Sequence, residues 1–142
     1  MQQTVVIDSG GTDRRLCERS VEGALGVCSA MLKLGFESSV WFRTEDGFEP
    51  HEVNDEAELS EVRTALARYE FSSPEKKPRL PVKELCDAEK TGSAMLFTPG
   101  ADALLKAEMD HAENYGLKFT AIAHDIPTDI NSSDFIADDF FE

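Results

Sequence analysis

The sequence predicts an α/β domain: a mostly parallel, doubly wound sheet with one antiparallel edge strand and helices on both faces, in a shortened form. Three observations carry this. Short apolar runs rich in β-branched residues, at Thr4 to Asp8, Ser39 to Thr44, Ala94 to Thr98 and Leu117 to Ala123, alternate with stretches whose apolar residues recur every three or four positions. Right-handed crossovers between such runs place the first at the centre of the sheet. That first run ends in a carboxylate, Asp8, and a Ser9-Gly10-Gly11-Thr12 turn, which is where parallel sheets keep their binding and catalytic groups.

Each element follows from local signals. Thr4 to Asp8 is short and without polar interruption, as a strand buried on both faces should be. Val21, Ala24, Leu25, Cys28, Met31 and Leu32 draw one apolar stripe along a helix from about Glu18 to Leu34, closed by Gly35 as a left-handed cap. Gly23 and Gly26 lower helix propensity by about 1 kcal/mol each, so close packing against a neighbour is expected there. Ser39 to Thr44 is the second strand, in which Trp41 and Phe42 face opposite sides and both are expected in the core. Glu45-Asp46-Gly47 turns the chain back through Phe48 to Val53, an edge strand because Pro50 cannot donate to a ladder.

Asn54 or Asp55 caps a helix with Leu59, Val62, Leu66 and Tyr69 on its apolar side. Ser72 to Pro81, with three prolines and most of the local positive charge, reads as a loop and as the chain's flexible insertion. A short helix from Val82 to Lys90 precedes the strand Ala94 to Thr98. Leu104, Leu105, Met109, Ala112 and Tyr115 then mark a helix stopping at Gly116, before the last strand, Leu117 to Ala123. In this arrangement Asp8 lies at the switch point, beside Thr98, Pro99 and Gly100.

With 142 residues the chain suits one domain, placed at 1–125, with an acidic tail at 126–142. Its formal charge of -14 argues against nucleic acid, whose phosphates demand clustered Lys and Arg. The tail reads as solvated and self-repelling, with docking to a basic partner as the alternative. No apolar run approaches the roughly 20 residues of a membrane helix, and no basic-then-apolar signal opens the chain. A cytoplasmic location is expected, although a longer parent protein would be free to carry an anchor. Cys17, Cys28 and Cys86 show neither C-x-x-C nor zinc spacing, and read as small hydrophobes in a reducing compartment. His51, His111 and His124 are scattered and do not suggest a metal cluster.

Val5-Val6-Ile7-Asp8 leading into a long helix with a Lys33-Leu34-Gly35-Phe36 exit resembles the von Willebrand factor A domain. So does Ala94 to Thr98 followed by a helix ending Asn114-Tyr115-Gly116. The resemblance is nearest to the bacterial A-like domains often encoded beside MoxR-type AAA+ ATPases. It covers about Thr4 to Asp125 and lacks that family's last strand and helix. It implies a non-catalytic protein-interaction module whose partner is an AAA+ ATPase or another A-domain protein. In that family the loop reads Asp-x-Ser-x-Ser and holds a divalent metal with an open position for a partner's acidic side chain.

Here Asp8 and Thr12 match the outer positions, Gly10 removes the middle hydroxyl, and Pro99 stands where a later Asp is usual, leaving Thr98 as the nearest oxygen. Ser72 or Ser73 would replace the family's intermediate Thr. The resemblance thus implies a degenerate loop with Asp8, Ser9, Thr12 and Thr98 as ligand-binding candidates. Any Mg²⁺ or Mn²⁺ on Asp8 and Thr12 with Ser72 or Ser73 would be weakly held. The preferred reading of Asp8 is structural: it caps the following helix or accepts hydrogen bonds from the Gly10 and Gly11 amides.

Two enzymatic alternatives remain. Asp8 to Thr12 is similar to the Asp-x-Gly-Gly-Thr phosphate loop of sugar kinases and actin-like ATPases, but it runs into a helix instead of a hairpin. Asp8 and Thr12 also match the Asp-x-Asp-x-Thr of haloacid-dehalogenase-type phosphatases, with Asp8 as nucleophile. Gly10 then stands in place of the general acid, and Lys90 and the Asp138-Asp139 pair would have to fill the remaining roles.

Overall fold

The structure is a computed structural model that describes residues 2–76, 78–90, 92–123 and 135–137. The elements in chain order are β1 (Gln2–Ile7), α1 (Arg14–Lys33), β2 (Glu37–Thr44), β3 (Gly47–Val53), α2 (Glu56–Ala67), α3 (Val82–Asp87), β4 (Gly92–Thr98), α4 (Ala103–Glu113), β5 (Leu117–Ala123) and β6 (Phe135–Ala137). The strands join in the order β3-β2-β1-β4-β5-β6, and every pairing is parallel except β2 with β3. The expected sheet, its antiparallel edge and its central first strand are therefore present.

Alternation along the strands divides the core into two layers. Val5, Ile7, Val40, Phe42 and Phe97 pack under α1 and α2 with Ala24, Leu25, Cys28, Leu59, Val62 and Leu66. Val6, Trp41, Leu96 and Phe119 pack on the other face under α3 and α4 with Leu85, Leu105, Met109 and Ala112. Trp41 and Phe42 do lie on opposite faces, both buried. Burying whole Leu, Val or Phe side chains on both faces stabilises the fold by about 1.5–3 kcal/mol each, which explains why the inner strands read as unbroken apolar runs.

Helix ends follow their sequence signals. Asp13, Asp55 and Asp102 each accept a hydrogen bond from the amide three residues on, capping α1, α2 and α4. Helix α1 thus begins four residues earlier than the apolar stripe suggests, because Asp13 and not the stripe sets its start. Gly35 adopts φ +83, and the Phe36 amide reaches back 2.8 Å to the Met31 carbonyl, closing α1 as a Schellman cap.

Two expectations change. Ser72 to Pro81 is a strap pinned at both ends, and not a flexible insertion: Ser72 forms a parallel bridge with Gly10, and Leu80 is buried. In the stretch expected to be an acidic tail, Phe135–Ala137 adds a sixth strand beside β5, with Phe135 in the core. Parallel pairing with Ala121 to Ala123 and burial of Phe135 outweigh the charge of the surrounding sequence. His124, Asp125 and the Asp138-Asp139 pair lie outside the described residues.

Candidate functional site

The parallel strands β1 and β4 end side by side, and the Asp8 amide donates to the Phe97 carbonyl at 2.9 Å. This fixes Asp8 and Thr98 at the centre of the sheet's carboxyl edge, where the strand order predicts a site. Asp8 has 0% exposure. Four donors converge on its carboxylate. Oδ1 accepts from the Gly10 amide at 2.9 Å and from Arg79 Nε at 3.0 Å, while Oδ2 accepts from Arg79 Nη2 at 2.6 Å and Thr98 Oγ1 at 2.7 Å.

Arg79, 1% exposed, is the residue that organises this site. Its fork grips Asp8 through Nε and Nη2. Nη1 reaches both oxygens of Asp102 at 2.8 Å, and Nη2 also reaches the Gly100 carbonyl at 3.3 Å. A planar guanidinium with five donors suits such a bidentate arrangement, and a lysine would not. The main chain around it is held as firmly. The Arg79 and Leu80 amides donate to the Glu108 carboxylate at 3.0 and 3.2 Å, and the Pro78 carbonyl accepts from Arg43. Helix α4 therefore holds the arginine twice, by its cap Asp102 and, a turn and a half later, by Glu108.

The electrostatics follow from burial. Desolvation pushes Asp8 above its ordinary value of 3.8, against the opposing pull of Arg79, the Gly10 amide and Thr98. Burial also works against the charge on Arg79, but its bonds to Asp8 and Asp102 outweigh this and raise its pKa. Two of the four donors on Asp8 belong to the Arg79 guanidinium, which keeps its protons and so favours the carboxylate form. The pair is therefore ionised, Asp8⁻ against Arg79⁺.

The glycines of the loop are now explained. A Cβ on Gly10 would stand 2.7 Å from Arg79 Nε, and one on Gly11 would stand 2.8 Å from both Cys17 Sγ and Pro99 Cγ. The Gly10 amide goes to Asp8 as expected. The Gly11 amide goes instead to the Ser72 carbonyl at 2.8 Å, and the Ser72 amide returns to the Ser9 carbonyl at 2.9 Å. Asp8 does not cap α1; Asp13 does.

Of the sequence candidates, Asp8 and Thr98 meet. Ser9 is buried, and its Oγ has no hydrogen-bond partner. Thr12 is exposed and is not among the donors to Asp8. The Ser72 hydroxyl donates to the Ser9 carbonyl at 3.3 Å, and the Ser73 hydroxyl to Glu75. Lys90 donates to Gln2, at the opposite end of β1 from Asp8. Arg79 and Asp102 were missed. The available signals were the bare Gly10, which leaves a gap beside Asp8, and the capping aspartate ahead of α4. Above the ion pair lies a cup of about 190 Å³ bordered by Thr12, Asp13, Pro74, Pro99 and Asp102.

Comparison with solved structures decides the fold. A crystal structure described as the SpRpn10 VWA domain superposes with a TM-score of 0.55 at 8% sequence identity, over 96% of this chain and 86% of that one. The fold is von Willebrand factor A-like. No protein-family model matches the chain, and no curated protein matches it in sequence. At that identity the likeness extends to the fold alone. On the A-like fold, Asp8 occupies the end of the first strand, and Arg79 reaches it from the strap between α2 and α3. Among the described residues no helix is long and apolar enough to cross a membrane.

Proposed function

We propose that this A-like domain is a non-catalytic protein–protein interaction module in which the Asp8 to Thr12 loop is a degenerate form of a metal-dependent binding loop. One observation carries the reading: both oxygens of Asp8 are engaged by donors, two of them from a buried arginine. A nucleophilic carboxylate needs a free lone pair facing its substrate, and a phosphate loop needs free amides. The lone pairs of Asp8 face donors instead, and the Gly10 and Gly11 amides are spent on Asp8 and Ser72. The haloacid-dehalogenase alternative is further weakened by the place of Lys90 beside Gln2.

By the same resemblance, the proposed partner is an AAA+ ATPase or another A-domain protein. Three free cysteines, at least two of them buried, support a cytoplasmic setting. The test has two arms. Purified chain with a generic phosphomonoester and Mg²⁺ should show no turnover, and the reading fails if turnover appears in wild type and vanishes in Asp8→Asn. Titration of the labelled chain with a purified A-domain protein or AAA+ ATPase should give saturable binding that substitutions around the cup, such as Thr12→Arg, weaken.

A further inference from the structure

The residues at the sheet edge do not fit a divalent ion. Asp8 has both oxygens engaged, Thr12 is exposed and is not among its donors, and the Ser72 and Ser73 hydroxyls are bound to Ser9 and Glu75. Yet the site is built for positive charge. A buried carboxylate left alone would be strongly disfavoured and would take up a proton unless a cation neutralised it. From this we infer that Arg79 is the resident cation of the site, a side chain of the protein itself standing where an A-like loop would need a metal. This rests on the reading of the loop as a degenerate metal site, but not on the interaction role proposed for the domain.

Three independent features support it. First, the space is reserved: the side chain that a serine at position 10 would project begins 2.7 Å from Arg79 Nε, so the guanidinium and a middle hydroxyl exclude each other. Second, the guanidinium's hydrogen bonds all go to oxygens, namely the two carboxylates Asp8 and Asp102 and the Gly100 carbonyl. Those are the donor types that hard divalent cations prefer. Third, the arginine is not an opportunistic surface group. Its backbone is fixed by Glu108, and its own carbonyl accepts from the Ser9 amide at 3.4 Å.

Two consequences separate this from a merely structural ion pair. The intact site should be indifferent to divalent ions, and removing the guanidinium should expose a latent cation site formed by Asp8, Asp102 and Gly100. The probe is Mn²⁺, followed through paramagnetic broadening of the Gly10, Gly11 and Gly100 amides and through the melting temperature. In wild type, 1 mM Mn²⁺ should leave these amides sharp, whatever it does at acidic surface residues. In Arg79→Ala it should broaden them, and at ten times Kd raise Tm by about 4 °C. Ethylguanidinium should bind the same variant in competition with Mn²⁺. Arg79→Ala/Asp102→Ala should lose the Mn²⁺ response.

Site-specific broadening in wild type overturns the proposal, and this holds even if the variants fail to fold. So does a folded Arg79→Ala that binds neither Mn²⁺ nor ethylguanidinium near Gly10. A further check on wild type alone is the Arg79 Nε–H resonance: it should be resolved and slow to exchange, and rapid exchange with water counts against a fixed cation.

Discussion

Gly10 and Arg79 compete for one volume: a Cβ at position 10 would lie 2.7 Å from the arginine Nε and 3.1 Å from the Pro74 Cα. The bare position in the first loop and the buried cation 69 positions later in the sequence share that volume. Gly10→Ala should therefore destabilise the domain by about 1–3 kcal/mol, as overpacking does. Urea unfolding should show a smaller loss for the same substitution in an Arg79→Ala background. An equal loss in both would mean that Pro74, and not the guanidinium, sets the limit.

Breaking the ion pair from one side leaves an uncompensated buried charge. Arg79→Met should cost about 3–5 kcal/mol. Asp8→Asn/Arg79→Met should cost much less than the sum of the two single changes, because the pair itself repays only part of its desolvation. A double-mutant cycle by denaturant unfolding measures the coupling. Additivity within about 0.5 kcal/mol would contradict the bidentate geometry.

The two helical glycines of α1 should behave oppositely. A Cβ at Gly23 would meet Phe97 Cε1 at 2.8 Å, whereas nothing lies within 4 Å at Gly26. Gly26→Ala should raise stability by about 1 kcal/mol through helix propensity, while Gly23→Ala should lower it despite the same gain. Parallel thermal melts distinguish them.

Alkaline pH should loosen the edge of the site. Burial, followed by the charges of Asp13, Asp8 and Glu18, pushes the Cys17 thiol from 9.0 up to about 11. Because the folded value exceeds the unfolded one, this contribution to stability is whole below pH 9.0 and fades as pH climbs toward about 11. Iodoacetamide labelling of Cys17, followed by mass spectrometry in a Cys86→Ser background, should accelerate with a midpoint near 11. A midpoint near 9.0 would show that the thiol is not buried as described.

Much of the architecture was legible because its causes are local. Unbroken apolar runs signal strands buried on both faces, Asp55 marks the start of α2, and the proline in β3 marks an edge, so the central place of β1 and the meeting of Asp8 with Thr98 followed. The site was legible only in part. Nothing near Arg79 in sequence announces burial; flanking prolines and charge suggest an exposed loop. Its partners Asp8, Asp102 and Glu108 lie 71, 23 and 29 residues away, and only the closed fold brings them together. Phe135–Ala137 escaped for the related reason that pairing with β5, not local composition, makes it a strand.

The strap also decides how the chain looks to a protease. Trypsin cleaves after arginine and lysine, and a proline-rich, charged connection would ordinarily be its first target. Here the bond after Arg79 runs between two amides held by Glu108, and the specificity side chain is turned inward onto Asp8. Cutting it requires the sheet edge to open first, so the rate of cleavage at that one bond reports the opening of the domain's centre and not the looseness of its surface.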